Sequence, residues 1–301
     1  MKLLPWIQLI RWQNLIMLLL VHLLLRYAVF PKFGVLPFLS NYQFLLLSLS
    51  CILVMAGGYI LNDVIDIRTD EINKPEKVII DNGIGIPSAK IAYVILSMAG
   101  LSLGLYLSHL TGITVNFLWH PITVLLLMIY SKYLKNSFLY GNLLISILIF
   151  ISIVIIACFD LLPGTNAVNP NDTRIVFNLI FTFGAFAFLL TLLREISKDA
   201  EDIEGDRITG SNTLPVRYGF KTTNRVLGFA GIATCILILI LSFNNSALSP
   251  FFFLYLIFAV ILPLVYFMYQ VKNNSRAIDY SKSSLFLKLI MLSGTLSLLF
   301  V

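Results

Sequence analysis

The sequence predicts an all-α membrane protein built as a bundle of nine transmembrane helices. Of its 301 residues, 58% are hydrophobic and 12% are charged, whereas a soluble domain carries roughly 25% charged residues. The mean hydropathy is +0.91, and the apolar runs approach the roughly 20 residues that cross a bilayer as a helix. This composition excludes a soluble enzyme, a disordered chain and a secreted disulfide scaffold.

The apolar runs are joined by short polar segments and form one domain over residues 1–301. They lie at about 12–30, 43–62, 89–108, 112–130, 141–160, 175–194, 224–243, 250–271 and 284–301. Residues 203–222 contain three glycines and are expected to form a loop, which either caps the site described below or is only a flexible connection. Helices 2–5 and 6–9 are candidates for two parallel repeats, at about 43–160 and 175–301.

The distribution of basic residues predicts the orientation in the membrane. Eighteen of the 21 Lys and Arg residues fall on the side of the N-terminus, with Lys288 counted among them as a loop residue, and only Arg26, Lys32 and Arg174 fall on the other side. By the positive-inside rule, the N-terminus is cytoplasmic and the C-terminus is outside, in the cell's inner (plasma) membrane. The same rule accounts for the net charge of +6 without a nucleic-acid partner.

The acidic residues are concentrated in two segments, at the cytoplasmic ends of the second and sixth helices. These two segments hold 12 of the 15 Asp and Glu residues. If each helix continues through its segment, each set of polar residues shares one helix face, because the spacing is i, i+4, i+8 in the first segment and i, i+3, i+7 in the second. The sets are Asn62, Asp66 and Asp70, and Asp199, Asp202 and Asp206.

Carboxylates stacked on one helix face repel one another, and holding divalent cations relieves that repulsion. Oxygen ligands without His or Cys favour Mg²⁺, which binds one or two carboxylates together with phosphate oxygens. Two facing segments of this kind describe a diphosphate site, although solvated helix ends remain the alternative. Basic residues interleave with the acids as partners for phosphate, and the positive-inside rule explains them equally well. They are Arg68, Lys74, Lys77, Lys198 and Arg207.

These two segments resemble the aspartate-rich motifs of the UbiA superfamily of intramembrane prenyltransferases, and the nine-helix topology agrees over the whole chain. The first motif spans residues 62–70, and the second lies within residues 198–207. The second motif, together with residues 130–135, 141–142 and 213–216, resembles the branch that makes digeranylgeranylglyceryl phosphate. Two segments depart from the family pattern: Trp12 follows Arg11 where Pro is expected, and Lys77 replaces a frequent Arg.

The resemblance implies Mg²⁺-dependent transfer of an isoprenyl group from its diphosphate to a lipophilic acceptor within the bilayer. It implies roles for several residues. The metal ligands are Asn62, Asp66, Asp202 and Asp206, and the supporting acids are Asp63, Asp70 and Asp199. Asn14 is expected to line the acceptor site, with an interhelical hydrogen bond as the alternative, and Lys135 joins the basic residues that bind substrate. Tyr130 or Tyr133 is expected to face the allylic cation, with an interfacial aromatic belt as the alternative for both.

The donor expected from the resemblance is geranylgeranyl diphosphate, and the acceptor is geranylgeranylglyceryl phosphate. An aromatic acceptor of the quinone, tocopherol or haem type remains an alternative, since the sequence supplies both basic and aromatic residues. A cation-coupled transporter is a more distant alternative. Its ionisable residues should lie near the middle of the membrane, and no acidic residue falls in the middle of an apolar run.

Overall fold

Long apolar helices dominate the computed structural model, which describes residues 3–80, 83–167, 170–243 and 249–301. Within these ranges, nine helices are long and apolar enough to cross a membrane, and they are numbered below as spanning helices 1 to 9. They are Trp12–Lys32, Asn41–Asn73, Ile86–Thr111, Asn116–Leu134, Tyr140–Gly164, Asn171–Glu201, Leu214–Ile240, Pro250–Lys272 and Ala277–Phe300. The prediction of an all-α integral membrane protein is confirmed, while the division into two repeats stays a prediction.

Spanning helix 2 continues well beyond its apolar run and carries the first acidic segment. It begins with a capping box in which the Gln43 backbone N–H donates to Ser40 Oγ at 3.3 Å and the Ser40 N–H donates to Gln43 Oε1 at 2.9 Å. It ends at Asn73 because Pro75 disfavours helical geometry at Lys74, where φ is −149°. The predicted continuation of this helix past residue 62 is therefore correct.

The second acidic segment is broken rather than continuous, so the prediction that Asp199, Asp202 and Asp206 share one helix face is wrong. Spanning helix 6 ends at Glu201, Asp202 has φ −95° and ψ 13°, and a separate short helix covers Ile203–Ile208. The predicted loop over residues 203–222 is also mostly helical, because spanning helix 7 begins at Leu214. Residues 209–213 between these two helices are non-helical, and spanning helix 7 is kinked at Gly219, where φ is 70° and ψ is 174°.

Spanning helix 9 begins earlier than its apolar run. The Asp279 carboxylate accepts a hydrogen bond from the Arg276 backbone N–H at 3.3 Å, and this cap starts the helix at Ala277. A polar contact rather than hydrophobicity therefore sets the boundary. Lys288, counted above as a loop residue, lies inside the helix.

A buried ion pair joins two spanning helices at the end of the bundle that lies opposite the acidic segments. Arg26 of spanning helix 1 pairs with Asp160 of spanning helix 5, and their side chains are only 2% and 0% exposed. Arg26 Nη2 also donates to the Leu39 carbonyl at 2.6 Å, and the Leu39 N–H donates to Asp160 Oδ1 at 2.7 Å. The distribution of basic residues predicts Arg26 as a charge of the outer side. In the structure it ties two spanning helices to the segment that precedes the second.

We expect Asp160→Leu to destabilise the protein by about 3–5 kcal/mol, because it leaves the Arg26 guanidinium buried without its partner. The measurement is the free energy of unfolding in detergent. The double variant Arg26→Met/Asp160→Leu should recover much of the loss, and Lys32→Met, at an exposed position of the same helix, serves as the control. Equal unfolding free energies for Asp160→Leu and Lys32→Met would contradict a structural role for the pair.

Candidate active site

The two acidic segments face one another at one end of the bundle. The short helix Ile203–Ile208 packs against spanning helix 2. The charge of Asp66 interacts with that of Asp206, and the charge of Asp70 interacts with that of Asp202. The structure therefore brings together the residues that we call the aspartate site: Asn62, Asp66, Asp70, Asp202 and Asp206.

The Asn73 side chain joins the two segments at the helix break. Its Nδ2 donates to the Asp202 carbonyl at 3.1 Å, and its Oδ1 accepts from the Gly205 N–H at 2.7 Å. The amide therefore satisfies one acceptor and one donor of the backbone at the break. Residue 205 must be glycine for this approach, since a Cβ there would lie 2.4 Å from Asn73 Nδ2.

Lys74 makes the second link between the segments. Its Nζ lies 2.8 Å from Glu201 Oε1 and 2.7 Å from Asp202 Oδ1. Burial alone lowers the pKa of Lys74, but Asp202 and Glu201 together raise that pKa above its ordinary value. The ammonium therefore stays charged between the two carboxylates. It lies where a cation bound by these carboxylates would lie.

Asp66 is the most enclosed acid of the first segment. Asn62 Nδ2 donates to Asp66 Oδ2 at 2.5 Å, and Lys135 Nζ forms an ion pair with the same oxygen. A π-helical turn, closed by the hydrogen bond from the Lys135 N–H to the Tyr130 carbonyl at 2.9 Å, leads into Lys135. Burial lowers the pKa of Lys135, but Asp66 and Asp70 together raise that pKa above its ordinary value.

Two further acids of the second segment, Asp206 and Asp199, accept hydrogen bonds from neutral donors. Thr213 Oγ1 donates to Asp206 Oδ2 at 3.2 Å, and Asn142 Nδ2 donates to Asp199 Oδ2 at 2.8 Å. Burial, and then the neighbouring Asp202 charge, raise the pKa of Asp206 to about 6. Asp206 is thus buried without enough positive charge around it to offset the cost of ionisation.

The chemistry of the aspartate site suits a hard cation. Its possible ligands are all oxygens, and the buried Asn62 Oδ1 has no hydrogen-bond partner among the described residues. No group of three or more His, Cys, Asp or Glu side chains in the described ranges is arranged around one point. An ion here would therefore take one or two protein oxygens and keep its other positions for water or phosphate, as Mg²⁺ does.

A second group of polar residues adjoins the first segment. Arg11 Nη2 pairs with Asp63 Oδ1 at 2.6 Å, and the Arg11 guanidinium lies 4.8 Å from the centre of the Tyr59 ring. Asn14 Nδ2 donates to the Tyr59 hydroxyl at 3.0 Å. Burial lowers the pKa of Arg11, but the Asp63 charge contributes to a net rise. Asp63 therefore anchors Arg11 beside the site.

Several residues selected from the sequence are exposed. Tyr133 is 73% exposed, and Arg68 and Arg207 are also exposed, so the roles expected for these three residues stay predictions. The side chain of Lys77 lies outside the described part of the chain. Tyr130, in contrast, is half-buried, and its hydroxyl lies within electrostatic range of Asp66, Asp199 and Arg11.

Several residues that position the predicted site residues were not predicted from the sequence. Asn73, Asn142 and Thr213 hold the second segment, and Glu195 accepts from Lys198 Nζ at 3.3 Å. Asn73 could have been predicted, because it lies three residues after Asp70 and two residues before a proline. Thr213 lies in a segment that carries the family resemblance, but its contact with Asp206 depends on the turn after the short helix and has no local sequence pattern.

Comparison with known proteins gives matches over most of the chain. The UbiA prenyltransferase family model matches residues 10–290. Digeranylgeranylglyceryl phosphate synthase of Methanosphaera stadtmanae is 32% identical over 295 residues, which are 97% of this chain and 97% of that protein.

Two solved structures share the fold. A structure described for digeranylgeranylglyceryl phosphate synthase in membranes has a TM-score of 0.65 at 24% identity and covers 100% of this chain and 99% of its own. A UbiA homolog from Archaeoglobus fulgidus bound to GPP and Mg²⁺ has a TM-score of 0.62 at 16% identity and covers 99% of this chain and 100% of its own. The similarity therefore extends over the whole bundle.

We expect Asn73→Ala to weaken Mg²⁺-dependent binding of inorganic diphosphate by about tenfold, because residues that orient metal ligands typically contribute 10- to 100-fold to metal affinity. The measurement is calorimetric titration of the detergent-solubilised protein. Asn136→Ala, at an exposed position, is the matched control. Equal affinities in both variants would show that the Asn73 amide does not position the second segment.

Proposed function

Because this chain belongs to the UbiA prenyltransferase family, we propose that it transfers a geranylgeranyl group from geranylgeranyl diphosphate to geranylgeranylglyceryl phosphate in a Mg²⁺-dependent reaction. The observation that carries the proposal is the nearly end-to-end match to a digeranylgeranylglyceryl phosphate synthase. The facing acidic segments, with oxygen ligands only, support the same reaction class. A transporter has no comparable support, because the acids gather at one end of the bundle.

The reaction exchanges one carbon–oxygen bond for another. The bond between C1 of the geranylgeranyl group and the diphosphate oxygen breaks, and the diphosphate leaves with the electron pair. A lone pair of the acceptor hydroxyl forms the new ether bond to C1, and the hydroxyl proton passes to water. The protein must therefore stabilise negative charge on the diphosphate and shield the allylic cation from water.

Two pairs of residues in the aspartate site are proposed to hold Mg²⁺: Asn62 with Asp66, and Asp202 with Asp206. Bound Mg²⁺ supplies positive charge that stabilises the departing diphosphate. Asn62 fits because its buried Oδ1 lacks a partner among the described residues. Asp70, half-buried between the two pairs, adds the negative potential that favours a divalent cation over a single ammonium.

Lys74 and Lys135 are proposed to exchange partners when the donor binds. In the structure their ammonium groups neutralise Asp202 and Asp66. A cation bound by these carboxylates would release both amines toward the diphosphate oxygens, because lysine is a common phosphate partner. Lys198 is held back by Glu195 at 3.1 Å, so we assign it to a separate group of cations considered below.

Three further residues are proposed to shape the site without holding metal. Asp63 anchors Arg11, and Asp199 is fixed by Asn142. Tyr130 lies within electrostatic range of acids from both segments, so its ring is the candidate for contact with the allylic cation.

The site is proposed to open to the cytoplasm, in the plasma membrane. The excess of Lys and Arg on the N-terminal side supports this orientation, since cytoplasmic loops carry such an excess. The acidic segments lie at the ends of helices that run toward that side. A diphosphate, which is charged and water-soluble at its head, would then enter from the cytoplasm while its tail stays among apolar helices.

We expect the purified wild-type protein, with Mg²⁺ and radiolabelled geranylgeranyl diphosphate, to label geranylgeranylglyceryl phosphate and not hydroxybenzoate, naphthoate, homogentisate or haem. Asp66→Asn should lower kcat by at least about 100-fold, since second-shell changes alone cost 10- to 100-fold in activity. Product is measured by thin-layer chromatography.

Asp279→Asn is the matched control, because Asp279 pairs with Arg276 at 3.2 Å at the start of spanning helix 9 and lies outside the aspartate site. Labelling of an aromatic acceptor alone would overturn the proposed acceptor. Full turnover by Asp66→Asn would overturn the proposed metal site.

A further inference from the structure

Four cations from different parts of the chain gather beside the aspartate site. We call them the basic cluster: Arg11, Arg194, Lys198 and Lys288. Asp63 pairs with the first at 2.6 Å, and Glu195 pairs with the second at 2.8 Å and with the third at 3.1 Å. Two acids thus face four cations, and two positive charges remain without an acidic partner.

Lys288 is the cation whose position the membrane topology does not explain. It is the twelfth residue of spanning helix 9, about 16 Å along the axis from the first residue at 1.5 Å per residue. Its one recorded hydrogen bond among the described residues is to Gln13 Oε1 at 3.4 Å. The positive-inside rule concerns loops, whereas an ionisable residue within a spanning helix is costly and typically functional.

Electrostatic interactions show that Lys288 belongs to the basic cluster. Its charge interacts with those of Arg194, Arg11 and Glu195. Spanning helix 9 packs against spanning helix 6, which carries Arg194 and Glu195. Three positive charges therefore approach one another within the bundle, an arrangement that an anion would stabilise.

One buried hydrogen-bond donor of Arg194 has no acceptor among the described residues. Its Nη1 donates to Glu195, but its Nε is buried and has no acceptor within the described ranges. A buried guanidinium donor without a partner is unfavourable. The planar fork of arginine fits the oxygens of a phosphate group, so an anion at this point would satisfy Nε.

The backbone of Arg11 is strained. With φ 53° and ψ 51° it is the only described residue other than glycine with a positive φ, a conformation that is unfavourable for residues with a Cβ. Such strain persists where the surrounding structure needs the side chain in one place. The ion pair with Asp63 holds the Arg11 guanidinium at the junction between the basic cluster and the aspartate site.

We propose that the basic cluster binds the phosphate monoester of the lipid acceptor. The inference rests on the proposed function, in which the donor diphosphate is already served by the aspartate site with Lys74 and Lys135. A phosphate monoester carries about −1.5 to −2 charges at neutral pH, which matches the two unpaired positive charges. Tyr130 interacts with both Arg11 and Asp66, so the acceptor and donor sites adjoin. An aromatic acceptor without phosphate would leave this positive charge uncompensated.

The test is a kinetic comparison of Arg194→Gln and Lys288→Gln with the wild type, varying donor and acceptor separately. Each variant should raise the KM for geranylgeranylglyceryl phosphate by about tenfold or more, the effect of losing one hydrogen bond to a charged group, and leave the KM for the donor unchanged. Lys288→Arg, which keeps the charge, should restore the wild-type KM. Lys282→Gln, at an exposed position six residues earlier in the helix, is the control.

A second substrate separates the phosphate from the rest of the acceptor. Wild type should use phosphate-free geranylgeranylglycerol poorly, and both variants should use it as wild type does. An unchanged KM for the phosphorylated acceptor, or an equal rise in the donor KM, overturns the inference and leaves the proposed function standing. A wild-type protein that transfers nothing to the phosphorylated acceptor overturns both. An unchanged donor KM in the variants also shows that they are folded.

Discussion

The cost of placing carboxylates at the end of an apolar bundle governs the candidate site. Asp66 and Asp206 are buried, and the charge of Lys135 offsets only part of the cost of ionising Asp206. Lys135 and Lys74 neutralise part of the cluster, and the structure depends on such cations because an uncompensated buried charge is strongly destabilising. The same cost makes the site responsive to metal, since a divalent cation compensates two carboxylates at once and frees the amines.

The helix break at Asp202 gives the second segment its geometry. In an unbroken helix, Asp202 and Asp206 would continue in the direction of spanning helix 6. The short helix Ile203–Ile208 instead turns and packs against spanning helix 2. The Asn73 amide holds the break by bonding the backbone of Asp202 and Gly205. The two acidic segments are therefore equivalent in sequence position but not in backbone conformation.

The spanning helices and the first acidic segment could be predicted, because hydrophobic runs and the i, i+4 spacing are local properties of the chain. The break at Asp202 could not, since it depends on an amide 129 residues away and no proline or glycine occupies the position. The pairing of Arg26 with Asp160 could not be predicted either, because these two residues are also far apart in the sequence. The position of Lys288 was misjudged because its charge was counted with those of the loops, although the predicted apolar run 284–301 already includes this residue.

An isoprenyl tail and an allylic cation need apolar surroundings, and the scarcity of charge elsewhere in the chain is suited to that need. The most direct test of the two-segment site is anomalous scattering from Mn²⁺ in crystals grown with a non-cleavable geranylgeranyl diphosphate analogue. We expect one peak beside Asn62 and Asp66, a second beside Asp202 and Asp206, and Lys74 Nζ on a phosphate oxygen. Peaks at only one segment, or Lys74 still bound to Asp202, would contradict the exchange of amine for metal on which the proposed reaction depends.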